Sequence, residues 1–215
     1  MSEAREPKRE SPGDIRPSQL ITTYGPGSIM QVENDSVMIL GLNFWKKDEE
    51  EDMFQRIHHP ELERILKVDH FRMPREEENM QKSIPCRSFP LWGVCKRCDR
   101  LESHKTAPEI RKSSFHCSYC KGELYPARFI VICENGHIDD FPWEEWAHSD
   151  AKKGPHGICK NNPKLEFYSA GNKQALSDYV VKCLDCHEQR NCGDATSPGA
   201  LVKIIPKCSG SAPWL

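Results

Sequence analysis

The most informative part of the sequence is Cys95-Lys96-Arg97-Cys98, followed further along the chain by Cys117-Ser118-Tyr119-Cys120. Two Cys-x-x-Cys pairs at this separation are the sequence form of a zinc ribbon. The two-residue gap lets both sulfurs of one turn bind the same ion, and two such turns complete a tetrahedral site with no open position. We therefore predict a structural four-cysteine zinc site, within a first zinc-ribbon module over residues 83–132.

A third pair, Cys183-Leu184-Asp185-Cys186, needs two more ligands to close a site of the same kind. We choose Cys159 upstream and Cys208 downstream, which predicts a second all-cysteine site and about two zinc ions per chain. Cys192 competes with Cys208, because it follows the pair closely along the chain. The second cysteine-rich zinc module would then cover residues 133–215.

A looser set of candidate ligands begins at Cys133. Cys133 and His137 are spaced i, i+4 and could share an ion, with His148 or Cys159 as a further ligand. Both residues therefore also compete for places in the second zinc site.

Asp139 and Asp140 follow His137 closely, and the three side chains together would suit a metal-dependent nuclease, which we keep as an alternative function. The interpretation that we favour is structural. Asp140 can cap a helix that begins near Pro142, since Asp is a preferred N-cap residue and Pro is common in the first turn.

The composition favours an intracellular protein stabilised by metal ions. Only 37% of the 215 residues are hydrophobic, and all eleven cysteines lie between Cys86 and Cys208. We find neither a signal peptide nor an apolar stretch long enough to span a membrane, so we expect a reducing, cytoplasmic location where clustered cysteines are metal ligands. Cys86 has no partner at ligand spacing and is predicted to be a buried free thiol.

Charge is distributed unevenly along the chain. The net charge is −2, but residues 95–128 hold eight Lys or Arg residues against four Asp or Glu residues. A basic zinc module can contact phosphate. A stand-alone zinc-ribbon binder of nucleic acid is therefore a second alternative.

The pattern of the whole chain predicts an α+β fold, with a small β-containing N-terminal region followed by zinc-ribbon modules. Residues 1–14 are expected to be disordered, and residues 15–82 to form the N-terminal α+β region. Within it we predict a hairpin of strands 29–32 and 36–42, a helix that starts at Pro60 and stops before Pro74, and charged stretches at 46–52 and 75–82. Further strands are predicted at 127–133, 164–169, 179–182 and 200–205.

Four blocks in this order resemble the DrmB proteins of the DISARM antiphage system: RPSQLITTYGPGSI (16–29), FPLWGVCKRC (89–98), CENGHIDDFPW (133–143) and CSGSAPWL (208–215). The resemblance implies a non-catalytic component of a prokaryotic defence complex. It also implies a partner, the helicase-like ATPase DrmA, and contact with foreign DNA through that complex. Members of the family carry a long additional C-terminal region, so we expect this chain to be a fragment; its oligomeric state stays open.

Overall fold

A computed structural model describes residues 16, 19–32, 35–44, 56–72, 84–104, 115–149, 157–159, 161–172 and 175–215. The described residues form a mixture of helix and sheet, and most of the regular structure is strand. The predictions for residues 1–14, 46–52 and 75–82 lie outside the described residues. None of the helices in the described ranges is long and apolar enough to cross a membrane.

The N-terminal part is a three-stranded antiparallel sheet. After a short helix α1 (Gln19–Thr22), strands β1 (Ile29–Val32) and β2 (Asp35–Ile39) form a hairpin, which confirms the prediction, except that the second strand ends at Ile39 and not at Leu42. Strand β5 (Cys86–Ser88) pairs with the other edge of β2. The sheet is stable because Val37, Met38 and Ile39 of β2 are almost completely buried.

Helix α2 (Pro60–Leu66) confirms the helix predicted from Pro60. The ring of His59 accepts a hydrogen bond from the first turn, and Lys67 ends the helix with a positive φ of 54°. Two short paired strands, β3 (Arg56–Ile57) and β4 (Phe71–Arg72), flank the helix.

The largest sheet has six antiparallel strands: β6 (Trp92–Cys95), β7 (Arg100–Ser103), β8 (Leu124–Pro126), β11 (Leu165–Ser169), β12 (Tyr179–Cys183) and β13 (Gln189–Asn191). Their order across the sheet is β13-β12-β11-β7-β6-β8. The pairing of β7 with β11 joins segments that the sequence analysis assigned to two modules, and the module boundaries stay a prediction. The strands predicted at 164–169 and 179–182 are confirmed as β11 and β12.

Two of the predicted strands need correction. The stretch 127–133 is strand only over β9 (Ile130–Ile132), which pairs with β10 (Ile138–Asp140). Residues 200–205 belong mainly to a helix, α4 (Pro198–Ile204). A helix forms there because Pro198 suits the first helical turn, and because Ala200, Leu201 and Ile204 then share one face that packs on the core.

The core lies between helix α3 (Trp143–Ala147) and the six-stranded sheet, and it is rich in aromatic rings. Trp143 is 1% exposed and Trp146 is 0% exposed. Phe141 lies between them, with ring centroids 4.7 Å and 5.1 Å away. Because α3 packs against β12, the residues at the end of α3 are held close to the third Cys-x-x-Cys pair.

Candidate metal centres

The first group contains the four cysteines that the sequence analysis chose: Cys95, Cys98, Cys117 and Cys120. The Sγ atoms of Cys95 and Cys120 are 3.3 Å apart, and those of Cys98 and Cys117 are 3.7 Å apart. Tetrahedral zinc with Zn–S bonds of about 2.3 Å requires sulfurs about 3.8 Å apart. The cysteines are free thiols, since a disulfide needs sulfurs at about 2 Å. The group could therefore hold a metal ion.

The same backbone turn forms all three Cys-x-x-Cys pairs. The residue after each pair has a positive φ, of 55° at Asp99, 59° at Lys121 and 66° at His187. Its N–H group donates to the carbonyl oxygen of the first cysteine of the pair, over 3.1, 3.1 and 3.0 Å respectively. This closed turn directs both cysteine side chains of a pair towards one point.

Backbone N–H groups also point at the sulfurs of the first group. Arg97 donates to Sγ of Cys95, and Gly122 donates to Sγ of Cys120, both over 3.4 Å. The Gly122 hydrogen bond is the main cause that lowers the pKa of Cys120 to about 7. Such bonds favour the thiolate, which is the form that binds metal.

Polar side chains hold the two turns of the first group together. The carboxylate of Glu102 accepts hydrogen bonds from the N–H and the hydroxyl of Ser118, over 2.9 and 2.8 Å. The ammonium of Lys96 lies 2.8 Å from the carboxylate of Glu123, which joins the first turn to the residue just before β8. These contacts support the arrangement of the four cysteines.

The second group contains Cys159, Cys183, Cys186 and His148. Sγ of Cys159 is 3.6 Å from Sγ of Cys183, and Nε2 of His148 is 3.3 Å from Sγ of Cys186. For zinc, ligand nitrogen and sulfur atoms should be about 3.6 Å apart. The group could therefore hold a second ion with three sulfurs and one nitrogen.

His148 has the environment of a metal-ligating histidine. It is 2% exposed, and its Nδ1 lies 2.6 Å from the carbonyl oxygen of Glu144. A carbonyl oxygen accepts only, so Nδ1 carries the proton and Nε2 offers its lone pair to the group. Ligating histidines in proteins typically donate their other N–H in this way.

The structure does not bring Cys208 to the second group, where the sequence analysis predicted it. His148 occupies that place, and Cys208 lies beside Cys133 and His137 in a third group. The reason is the path of the C-terminal segment, in which the carbonyl of Ser211 accepts a hydrogen bond from the N–H of Ile138 in β10. Cys208 is thereby held at the β9–β10 hairpin.

The other competing cysteines belong to none of these groups, as far as the described residues show. Cys192 is 0% exposed and packs in the main core, where burial raises its pKa to about 12. Cys86 is a free thiol, as predicted; it is partly buried and packs against the N-terminal cluster that contains Met30, Val32 and Val37.

In the third group, Nδ1 of His137 lies 3.4 Å from Sγ of Cys133 and 3.5 Å from Sγ of Cys208.

The neighbouring carboxylate of Asp140 makes a different contact. Oδ1 of Asp140 accepts a hydrogen bond from the N–H of Leu91 over 2.8 Å. The predicted helix cap is therefore wrong: Pro142 is the N-cap of α3, without a capping side chain.

The sequence analysis offered His148 as a ligand beside Cys133 and His137, whereas the structure places it in the second group. It is the C-cap of α3, and it is buried although it does not share the helical face of Trp143 and Trp146. The spacing of the cysteines did not reveal it, because the contact spans 38 residues.

The protein belongs to the class of antiparallel-sheet proteins that carry groups of cysteine and histidine residues able to hold metal ions. Within that class, the chain belongs to the family of the domain of unknown function DUF8724, whose model matches residues 16–215. It is also similar to the DISARM protein DrmB of Bacillus paralicheniformis (strain ATCC 9945a / NCIMB 11709 / CD-2), with 31% identity over 189 residues. The match covers 86% of this chain and 31% of that relative, which confirms the resemblance to DrmB; the chain spans about a third of the relative's length.

Proposed function

We propose that the chain is a zinc-binding, non-catalytic component of a prokaryotic antiphage defence complex. The observation that carries this proposal is the 31% identity to a DISARM protein over 86% of the chain. The match is too long to arise from the cysteine pairs alone, since it extends beyond the region that contains them. We place the protein in the cytoplasm, where reducing conditions keep its thiols available as ligands.

The chemistry of the two four-ligand groups favours zinc as the ion and structure as its role. Thiolate and imidazole ligands in tetrahedral sets suit zinc. Four protein ligands leave no position for a substrate, so such a site stabilises a fold instead of catalysing a reaction. The first group has its sulfurs buried or half-buried on two turns, and the second has the buried His148.

For partners, we propose the helicase-like ATPase DrmA, with the chain helping to engage or regulate the binding of foreign DNA. The resemblance to DrmB supports this assignment. The test is to co-express the chain with the ATPase, to treat the lysate with nuclease, and to purify through a tag on the chain. We expect the two proteins to co-purify and the ATPase rate with DNA to change on mixing. Separate recovery with an unchanged rate would refute the partnership.

The structure offers less support to the nuclease alternative. Nδ1 of His137 faces two sulfurs, Oδ1 of Asp139 accepts the N–H of Asp140, and Asp140 binds the backbone of Leu91. Adjacent residues of a strand also point to opposite faces. DNA cleavage by the purified chain that disappears in a folded Asp139→Asn, Asp140→Asn variant would reverse this preference.

The stand-alone binder of nucleic acid is also less favoured, because several cations of the first module act within it. Lys96 pairs with Glu123, Arg97 donates to the carbonyl of Cys120, and Lys121 donates to the carbonyl of Ser118. An affinity of the isolated chain for DNA that falls steeply with salt concentration would favour this alternative instead.

A further inference from the structure

We propose that Cys133, His137 and Cys208 form a third metal site, with two thiolates and one imidazole as ligands and a fourth position open to an exchangeable ligand. This site is separate from the two four-ligand groups on which the proposed function relies. It would raise the zinc content from two ions to three.

The turn of the β9–β10 hairpin prepares two of the ligands. The N–H of Cys133 donates to the carbonyl of His137 over 3.1 Å, and the N–H of Gly136 donates to the carbonyl of Cys133 over 2.9 Å. Gly136 has a φ of 79°, a conformation that only glycine adopts at little cost. The turn therefore brings the side chains of Cys133 and His137 to the same side.

The third ligand arrives from the C-terminal segment. The N–H of Gly210 donates to Sγ of Cys208 over 3.4 Å, as the N–H groups do at the sulfurs of the first group. The bond from Ile138 to Ser211 fixes this segment beside β10. Cys208 thus reaches a histidine 71 positions earlier in the chain.

The distances fit a shared ion. Zn–S bonds of about 2.3 Å and a Zn–N bond of about 2.0–2.1 Å in a tetrahedron separate sulfur from nitrogen by about 3.6 Å. The structure has 3.4 and 3.5 Å. Binding of Zn²⁺ releases one proton from each thiol, so that the ion with two thiolates and a neutral imidazole carries no net charge.

The fourth position is the feature that distinguishes this site. Within the described part of the chain, no further Cys, His, Asp or Glu ligand atom joins the group. Cys208 is exposed, while Cys133 and His137 are partly exposed, so solvent reaches the ion. Zinc with three protein ligands binds water or another small donor at its fourth position. We therefore assign this position to water, exchangeable for a small monodentate ligand such as cyanide.

The first test counts metal ions in the full chain by elemental mass spectrometry. We expect three zinc ions in the unmodified protein, two in Cys208→Ser and in Cys133→Ser, and three in the matched control Cys86→Ser. A content of two ions in the unmodified protein that is unchanged in Cys208→Ser would overturn the proposal. If the unmodified protein contains one zinc ion and Cys208→Ser contains none, the four-ligand groups do not hold zinc. That result would count against the zinc-binding part of the proposed function without affecting this site.

A second measurement does not depend on the folding of a variant. Brief N-ethylmaleimide treatment of the native protein, followed by peptide mass spectrometry, should leave Cys133 and Cys208 unlabelled until a chelator is added. Rapid labelling of the exposed Cys208 before chelation would refute the site.

The open position is tested with Co²⁺ in place of zinc. Addition of cyanide should change the visible absorption of the cobalt-loaded protein, and this change should be absent in Cys208→Ser. An absorption that does not respond to cyanide would show that the ion has a fourth protein ligand, and that part of the proposal would fail.

Discussion

Nε2 of His148 lies 3.3 Å from Sγ of Cys186, although 38 residues separate them in the chain. The first stands at the end of helix α3 and the second in the turn after strand β12. The contact therefore joins the aromatic helix to the edge region of the large sheet through a candidate metal ligand. Its consequence is that the core and the second metal group depend on one another.

This dependence predicts the effect of removing the imidazole. We expect His148→Ala to lose one zinc ion per chain and to lower the free energy of unfolding by at least about 3 kcal/mol, because the binding of a structural zinc contributes about 10–16 kcal/mol to folding. Elemental analysis and urea denaturation measure the two effects.

Two further variants sharpen that test. His148→Cys restores a fourth ligand and should keep the zinc. His187→Asn changes the exposed histidine next to Cys186, tolerates the positive φ of 66°, and should behave like the unmodified protein. Equal zinc content in His148→Ala and the unmodified protein would disprove the ligand role.

Metal removal should unfold the cysteine-rich part of the chain. The ligands come from strand ends and turns throughout the region from Cys95 to Cys208, so an apo chain loses the ions that hold these turns. We expect a chelator to lower the melting temperature by at least about 10 °C, a shift that corresponds to several kcal/mol in a chain of this size. Added zinc, but not added magnesium, should restore the melting temperature. An unchanged melting temperature after proven zinc removal would contradict this prediction.

Arg190 is predicted to stabilise the end of helix α3. Its guanidinium carbon lies 3.8 Å from the centroid of the Trp146 ring, and its NH1 donates to the carbonyl and hydroxyl oxygens of Ser149 over 2.9 and 2.8 Å. We expect Arg190→Ala to cost about 2–4 kcal/mol in chemical denaturation.

Arg190→Lys should recover less than half of that loss, since an ammonium neither stacks on the ring nor forms the same planar fork of hydrogen bonds. Arg128→Ala removes an exposed arginine and should change stability by less than about 0.5 kcal/mol. If Arg190→Ala is equally mild, the stacking contact contributes nothing to stability.

Cys86 should react slowly with alkylating reagents at neutral pH. Burial, together with the carboxylate of Asp35, raises its pKa from 9.0 to about 11, so the reactive thiolate is scarce. We expect alkylation at pH 8 to be at least about tenfold slower than that of an ordinary thiol, after allowing for the greater nucleophilicity of a more basic thiolate.

The dependence of the alkylation rate on pH shows the direction of the pKa shift. The rate of Cys86 should keep rising above pH 9, where an ordinary thiol begins to level off, and Asp35→Asn should lower the pKa by removing the negative charge. Peptide-resolved alkylation of the metal-loaded protein measures this rate, and a plateau near pH 9 would argue against the raised pKa.

The close approach of Gly41 to the C-terminal segment predicts a steric effect. Its N–H donates to the carbonyl oxygen of Trp214 over 2.6 Å, and a Cβ there would lie only 2.9 Å from that oxygen. We expect Gly41→Ala to cost about 1–3 kcal/mol and to speed amide hydrogen exchange in residues 210–215. Gly157→Ala, where a Cβ meets no atom of the described residues within 4 Å, is the control and should be nearly neutral. Unchanged exchange in Gly41→Ala would mean that the segment does not depend on this contact.

The parts of the site that the sequence predicted are those with local geometry. The Cys-x-x-Cys turns need only a short run of chain, and all four cysteines of the first group therefore came together as expected. His148 and Cys208 depend instead on how helix α3 packs on β12 and how the C-terminal segment lies beside β10. No spacing rule within the chain expresses these tertiary contacts, so the second group was only partly predicted.

Helix α4 shows the same limit for secondary structure. The apolar, β-branched residues Val202, Ile204 and Ile205 favour a strand by propensity. The start at Pro198 and the packing of one helical face on the core outweigh that preference. The N-terminal hairpin was predictable because its strands pair with each other across a short connection.

The docking of Trp214 on the N-terminal hairpin has a consequence for synthesis on the ribosome. The side chain of Trp214 lies 3.0 Å from the position of a Cβ on Gly27, so a segment that is synthesised late covers one that is synthesised much earlier. Translation at about 5–20 residues per second leaves the hairpin without this cover for on the order of ten seconds or more. During that interval the apolar residues of the nascent hairpin lack the cover that Trp214 gives them in the folded chain.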